Sequence, residues 1–258
     1  MSTSEIRLER LTRREFRQAL DDGHFQVAIL ATGSIEQHNE HLALGQDIFS
    51  STHVAELAAR QLYPDVIVAV PISIGIAEHH MGFPGTLSAK PGAWLAVVFD
   101  AVESVMRHGV KKVLVLNGHG GNIAPARAAM NQWKLHLAQT QGHPLPTADG
   151  TNYATHGEFG EALLDRDDPG IDFRFHSYWD LVPKEFAEEV LDTGAFPGHA
   201  QEFETSFTMH AFPDNVRTDA IQFNKSNDPS LGTADKGRLI LDKAVEGVAE
   251  VVHDMLGR

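Results

Sequence analysis

Three short polar clusters in this chain carry residue types that hold metal ions or move protons. The first is Gly33-Ser34-Ile35-Glu36-Gln37-His38, followed by Asn39, Glu40 and His41 and, nine residues past His38, by Asp47. Residues two apart on extended backbone leave the same side, so Glu36 and His38 can converge on one point. A loop can return Asp47 to that point. Two carboxylates and an imidazole form a set suited to Zn, Mn or Fe; the same residues also suit a polar loop in which Glu36 caps a backbone group and His38 is solvated. The second cluster is Leu116-Asn117-Gly118-His119-Gly120-Gly121-Asn122. Its glycines permit close backbone approach, and His119 is either a ligand or a turn residue at a glycine corner. The pattern is not GxGxxG, GxxxxGK[ST] or GxSxG, so dinucleotide, P-loop and nucleophile-elbow readings lack their motif. The third cluster is Gly198-His199-Ala200-Gln201-Glu202-Phe203-Glu204-Thr205-Ser206. On extended backbone Glu202 and Glu204 point the same way, whereas on a helix they are about 200° apart. One can then be a ligand and the other its support, and the stretch also suits a plain helix start before Phe207 to Phe212.

Composition narrows the chemistry further. The chain has 258 residues and no cysteine, which removes thiolate nucleophiles, iron–sulfur clusters and cysteine zinc sites, so a metal must be held by His, Asp and Glu. There are 15 histidines to draw on. With 21 Lys and Arg against 35 Asp and Glu, the formal charge of −14 argues against nucleic acid or an anionic membrane as partner. The first residues, MSTSEIRLERLTRREF, are charged where a signal peptide needs an apolar run, and no stretch of about 18 apolar residues offers a membrane span. A cytoplasmic protein acting on a small molecule is expected.

The elements that must position these clusters alternate short β-type runs with longer helical ones. Phe25 to Ala31, Val66 to Ile72 and Lys112 to Leu116 read as strands. Ile48 to Leu62, Ala93 to His108, Ala124 to Gln139, Pro183 to Leu191 and Ala234 to Met255 read as helices, with Gly109 closing the second of them. This is the pattern of a layered α/β fold with a central, mostly parallel sheet flanked by helices, in a single domain over 1–258. Pro144 to Phe175 is the least regular stretch, suited to a long functional loop or an irregular strand pair. Ligands gather beyond the carboxyl ends of strands in open α/β sheets, so the first two clusters share one rim.

The motifs GSIEQHNEHLALGQD, NGHGGN and HAQEFETS, together with Gly85-Thr86-Leu87-Ser88 and Ser177-Tyr178-Trp179-Asp180, resemble the creatininase (creatinine amidohydrolase) family from about residue 25 to residue 212. The resemblance implies a metal-dependent amidohydrolase of layered α/β fold with a dinuclear centre, often hexameric. Carried over, Glu36 and His38 bind different metals, Asp47 bridges them and His119 joins the first. The member that hydrolyses creatinine has a Glu two residues after the N-G-H histidine, where this chain has Gly121. Glu202 is the expected substitute, because many relatives with H-G-G-N carry a Glu three residues after the third-motif histidine. Gly120 stands where that enzyme has a Tyr, and the Trp shortly before its third-motif His is missing from Gly194 to Gly198. Creatinine is therefore not assigned.

The resulting expectation is two divalent ions per chain, Zn, Mn or Fe, sharing a water whose pKa falls from about 16 toward about 7. That hydroxide would attack a carbonyl in a small cyclic amide, formamide or related C–N substrate. His199, which matches the family's catalytic histidine, would carry the proton to the leaving nitrogen, and Glu204 would orient it. Ser88, Gly120 and Trp179 are the expected substrate contacts. Hydrolysis of a C–O or C–C bond beside a carbonyl, or metal binding without catalysis, are the competing expectations. Glu40 and His41 are read as hydrogen-bonding support, and His79 and His80 as a polar patch suited to a substrate entrance or to solvent.

Overall fold

The computed structural model describes residues 5–140, 170–226 and 228–258. Four parallel strands, β1 (Val27–Thr32), β2 (Val66–Val68), β3 (Lys112–Asn117) and β4 (Asp172–Ser177), form a sheet ordered β2-β1-β3-β4. Around it lie helices α1 (Arg13–Asp21), α2 (Gln46–Gln61), α3 (Pro91–Arg107), α4 (Ile123–Thr140), α5 (Lys184–Val190), α6 (Glu202–Ala211) and α7 (Ala234–Leu256). β1 is buried at every position and β3 at all but its first, as strands covered on both faces must be. Side chains alternate across a strand, so the sheet divides the core. Val27, Ile29, Leu114 and Leu116 pack with α2, α6 and α7 on one face, and Ala28, Leu30, Val113 and Val115 with α3 and α4 on the other. The expected α/β layering is thus observed. Among the described residues no helix is long and apolar enough to cross a membrane.

Three elements differ from the sequence reading. β2 ends at Val68 and does not reach Ile72, which makes only an isolated bridge to Thr32; Pro71 has no N–H to give a ladder. β4 replaces the end of the irregular stretch, and its Phe173 and Phe175 alternate with Asp172, Arg174 and His176 as a strand's should. Most of that stretch lies outside the described residues. Helix α1 was not expected, yet its capping box is visible as Thr12 and Glu15 three apart: the Glu15 amide donates to Thr12 Oγ1 at 3.3 Å and the Thr12 amide to Glu15 Oε2 at 2.7 Å.

The sheet order fixes where a site can form. From β1 the chain crosses to β2 on one side and later to β3 on the other, and this reversal opens a crevice beyond the ends of β1 and β3. Asn117, at the end of β3, closes the floor of it. Its Oδ1 accepts from Thr32 Oγ1 at 3.2 Å and from Asn122 Nδ2 at 3.1 Å, while its Nδ2 donates to the His119 carbonyl at 2.7 Å and to Ser177 Oγ at 3.1 Å. One side chain therefore ties together the ends of three strands. A Cβ on Gly118 would stand 2.2 Å from the Asp47 carbonyl oxygen, so only glycine lets the first turn of α2 close against β3. Gly118→Ala should accordingly cost about 1–3 kcal/mol of stability. Gly120→Ala, with nothing within 4 Å of its Cβ position, should stay within about 0.5 kcal/mol. Urea unfolding of the two variants checks this, and equal losses would mean that the Asp47 backbone yields.

Candidate metal centre

Four pieces of the fold deliver the five side chains of the centre. Glu36 and His38 follow β1, Asp47 lies in the first turn of α2, His119 follows β3, and Glu204 lies in the first turn of α6; all are buried. Asp47 sits between the two imidazoles, with Oδ1 3.1 Å from His38 Nε2 and Oδ2 3.0 Å from His119 Nδ1. Glu36 Oε1 stands 3.2 Å from His119 Nδ1, and Glu204 Oε2 3.7 Å from His38 Nε2.

Backbone carbonyls select the ring nitrogens that face inward. His38 Nδ1 lies 3.1 Å from the Glu36 carbonyl and His119 Nε2 lies 3.0 Å from the Ile76 carbonyl. A carbonyl only accepts, so those nitrogens carry hydrogen, and in the neutral rings the lone pairs of His38 Nε2 and His119 Nδ1 point into the centre. Glu36 Oε2, His38 Nε2 and Asp47 Oδ2 are buried without a hydrogen-bond partner. An unsatisfied buried polar atom costs about 1–3 kcal/mol, and more when charged, and a common cation would satisfy several aimed at one place. Among the described residues, three groupings bring ligand atoms within 4.8 Å of one another: Glu36, His79 and His119; Glu36, His38 and His199; and His38, Asp47 and Glu204. The donor set fits a metal.

Electrostatics follow from the same crowding. Burial opposes charge on both inner imidazoles, but Asp47 and Glu204 raise His38 to about 9, and Asp47 and Glu36 raise His119 to about 10. Burial likewise works against the Asp47 carboxylate, yet the two imidazoles hold it well below the usual carboxylate range. Glu204 is pushed up to about 7 by burial, with Asp47 and Glu36 as like charges and His38 opposing. Burial, then repulsion from His38 and His80, lowers His199 to about 3.

Glu202 does not belong to this group. Because the third motif is helical there, Glu202 and Glu204 diverge: the Glu202 carboxylate accepts from the Asp192 and Thr193 amides at 3.1 and 2.8 Å and pairs with Lys236. Its expected place as a ligand is corrected by this turn of helix, and Glu204, expected to orient other groups, is the carboxylate within reach of His38 and Asp47. Gly121 could not have carried the missing carboxylate, since a Cβ there would lie 2.1 Å from the Ile76 carbonyl oxygen and 2.5 Å from His119 Nε2. His79, on the turn Glu78–His80, fills that side instead.

A cleft of about 320 Å3 opens over the cluster, with Trp179, Gly120, His199 and His80 among its walls. Ser88 is not there. Its hydroxyl accepts from the Ala77 amide at 3.1 Å and donates to the Ala89 carbonyl at 3.3 Å, which makes it a brace of the loop and corrects its expected contact with substrate. His41 accepts or donates at Thr205 Oγ1 over 2.8 Å, while Glu40 is exposed. Sequence reasoning missed Gln37, whose amide lies 2.9 Å from both His80 Nδ1 and His199 Nε2; as the middle residue of E-x-H on extended backbone it should have pointed away.

Comparison with known proteins assigns a family. The family model described as creatininase, creatinine amidohydrolase, matches residues 9–252. Creatinine amidohydrolase of Pseudomonas putida is 24% identical over 273 residues, 95% of each chain. Mycofactocin precursor peptide peptidase of Mycolicibacterium smegmatis is 29% identical over 136 residues, 51% of this chain and 55% of that one. The 3-dehydro-scyllo-inosose hydrolase of Thermotoga maritima is 31% identical over 116 residues, 45% of this chain and 36% of that one. Among solved structures, a creatininase superposes with a TM-score of 0.74 at 22% identity over 97% of both chains. A zinc–zinc variant form and a manganese form superpose with TM-scores of 0.73 and 0.74 at 22% and 21% identity, each over 97% of this chain and 98% of that one. The chain belongs to the creatininase family, a family of hydrolases.

Proposed function

We propose that this protein hydrolyses a C–N bond in a small polar molecule, with Glu36, His38, Asp47, His119 and Glu204 holding two divalent ions, zinc, manganese or iron. The observation that carries this reading is Asp47, which offers one carboxylate oxygen to the lone-pair side of each imidazole. When bound, the ions would make a water nucleophilic near neutral pH and polarise the substrate carbonyl. The chain's own residues do the rest. Glu36 and Asp47 fix the spacing, Asn117 and Asn122 hold the two strand ends, and His199 faces Glu36 across the cleft, its Nδ1 3.8 Å from Oε1. No Lys or Arg is found among the described residues lining the cleft, so any positive charge met by the substrate would come from the bound ions. Open space beside Gly120 favours a substrate other than creatinine.

A second reading has its own support. The inosose hydrolase relative is named for a substrate without nitrogen, which favours a C–O or C–C bond beside a carbonyl. Turnover in a screen of lactams, hydantoin-like rings, formamides and keto cyclitols separates the two, and bound metal with no turnover on any of them would leave a metal-binding protein without catalysis.

Metal content tests the ligand set. Wild type should hold about two ions per chain; Asp47→Ala should lose both, and Glu204→Gln should lose one. Glu202→Gln should keep both and lower stability by about 1–3 kcal/mol, because Lys236 loses the buried one of its two charged partners, Glu202 and Asp192. Metal loss in Glu202→Gln with retention in Glu204→Gln would reverse the assignment.

Metal uptake should also release protons. His38 and His119 titrate at about 9 and about 10 in the metal-free chain, so at pH 7 ligation must displace their protons, and affinity should rise with pH toward about 9. The same values, raised from 6.5, mean that the metal-free fold binds more protons than the unfolded chain between these limits. Its stability should therefore fall as pH climbs from about 6.5 to about 10. Calorimetry in buffers of different ionisation enthalpy and unfolding at several pH values test both signs; uptake without proton release would contradict the ligand role of these histidines.

A further inference from the structure

We infer that Gln37 is a positioning residue that fixes the tautomer of His199, so that this ring meets the substrate as a neutral hydrogen-bond donor through Nδ1–H. The inference deepens the proposed hydrolase reading and rests on it.

The amide's orientation is decided by its neighbours. Gln37 Oε1 lies 2.9 Å from the Asn39 backbone nitrogen, which can only donate, so that end of the side chain is the carbonyl. The other end is then the NH2 group, with two hydrogens and two neighbours, His80 Nδ1 and His199 Nε2, each at 2.9 Å. Both ring nitrogens must offer lone pairs. An imidazolium, with hydrogen on both nitrogens, could accept neither bond. The remaining hydrogens therefore sit on His80 Nε2 and His199 Nδ1, and both of those atoms face Glu36, at 4.0 Å from Oε2 and 3.8 Å from Oε1.

The ring has little freedom to escape this arrangement. His199 stacks on His80 with centroids 4.6 Å apart and lies 4.5 Å from the His38 ring. Gln37 itself is pinned through its backbone amide, which donates to Thr86 Oγ1 at 3.1 Å, beside the bridge of Ile35 to Leu87. The Gly85-Thr86-Leu87 segment thus reaches the reaction through one amide.

Two consequences follow. Carrying hydrogen, Nδ1 cannot coordinate a cation, so His199 is not a ligand although its ring lies within reach of Glu36 and His38. Nor can it shuttle a proton while the Gln37 bond persists, because a ring that does so carries hydrogen on both nitrogens at one stage. The expected proton carrier becomes a fixed N–H aimed at the negative charge that develops on the substrate, a role in which no proton leaves the ring.

The test reads nitrogen protonation directly and needs no substrate. Zinc-loaded protein labelled with 15N in histidine is observed at pH 7 by long-range nitrogen–proton correlation, with His199→Ala identifying the His199 signals. Wild type should show a protonated Nδ1 and a lone-pair Nε2. Gln37→Glu, whose carboxylate can only accept, should move hydrogen onto Nε2, and Gln37→Met, which offers no donor, should let both tautomers appear. Hydrogen on Nε2 in wild type, or an unchanged His199 pattern in both variants, would overturn the inference. Zinc content measured on the same samples keeps the two readings apart: wild type that binds no zinc sinks the metal centre, whereas the tautomer is still read from its spectrum.

Discussion

The structure depends on one carboxylate held where a carboxylate alone would not stay. Asp47 is buried at the junction of α2 with the ends of β1 and β3, and its two oxygens face two imidazoles that arrive from different strands. Without those rings burial would raise its pKa; with them it stays ionised. The arrangement makes demands well outside the side chain. The Asp47 carbonyl presses on Gly118, so β3 must be followed by a residue without Cβ, and Asn117 must take up the strand-end groups that the glycine turn leaves open. The N-G-H-G-G-N motif is in this sense a seat for the first turn of α2 as much as a source of His119.

Metal-free, the cluster balances itself with protons. Glu36, Asp47 and Glu204 place three carboxyl groups beside two imidazoles, and the raised values of His38 and His119 show those rings serving as the local cations. A divalent ion would take over that task and would also give partners to Glu36 Oε2, His38 Nε2 and Asp47 Oδ2, which are buried without one.

How much of this the sequence disclosed depended on the kind of contact. Strands β1 and β3 and the helices that cover them were legible because both faces are buried and the apolar runs are long. The convergence of Glu36, His38, Asp47 and His119 was legible because spacing and strand ends dictate it. β4 was not, since four of its six residues are polar and its pairing with β3 is set by distant chain. The choice between Glu202 and Glu204 turned on whether residues 202–204 are helical, which in turn depends on Phe203 and Phe207 packing under Tyr178 and on α6 docking along α7. Gln37 was hidden for a related reason, because its role exists only where His80 and His199, separated by well over a hundred residues, are brought face to face.

Under the proposed ligand set, a carboxylate at position 204 in place of one at 121 changes how the centre is tied to the fold. A ligand two residues after His119 would belong to the same strand end and add little long-range order. Glu204 instead stands on α6, receives the Ala200 amide at 2.5 Å, and is fixed in the core through Thr208, whose hydroxyl donates to Gln46 beside Asp47. On the opposite face of the same first turn, Glu202 pins the Asp192–Thr193 corner and Lys236 of α7. The two glutamates of the third motif therefore do complementary work about 200° apart on one helix. The docking of α6 on α7 thus holds Glu204 beside His38 and Asp47, and one helical turn serves both the cluster and that face of the core.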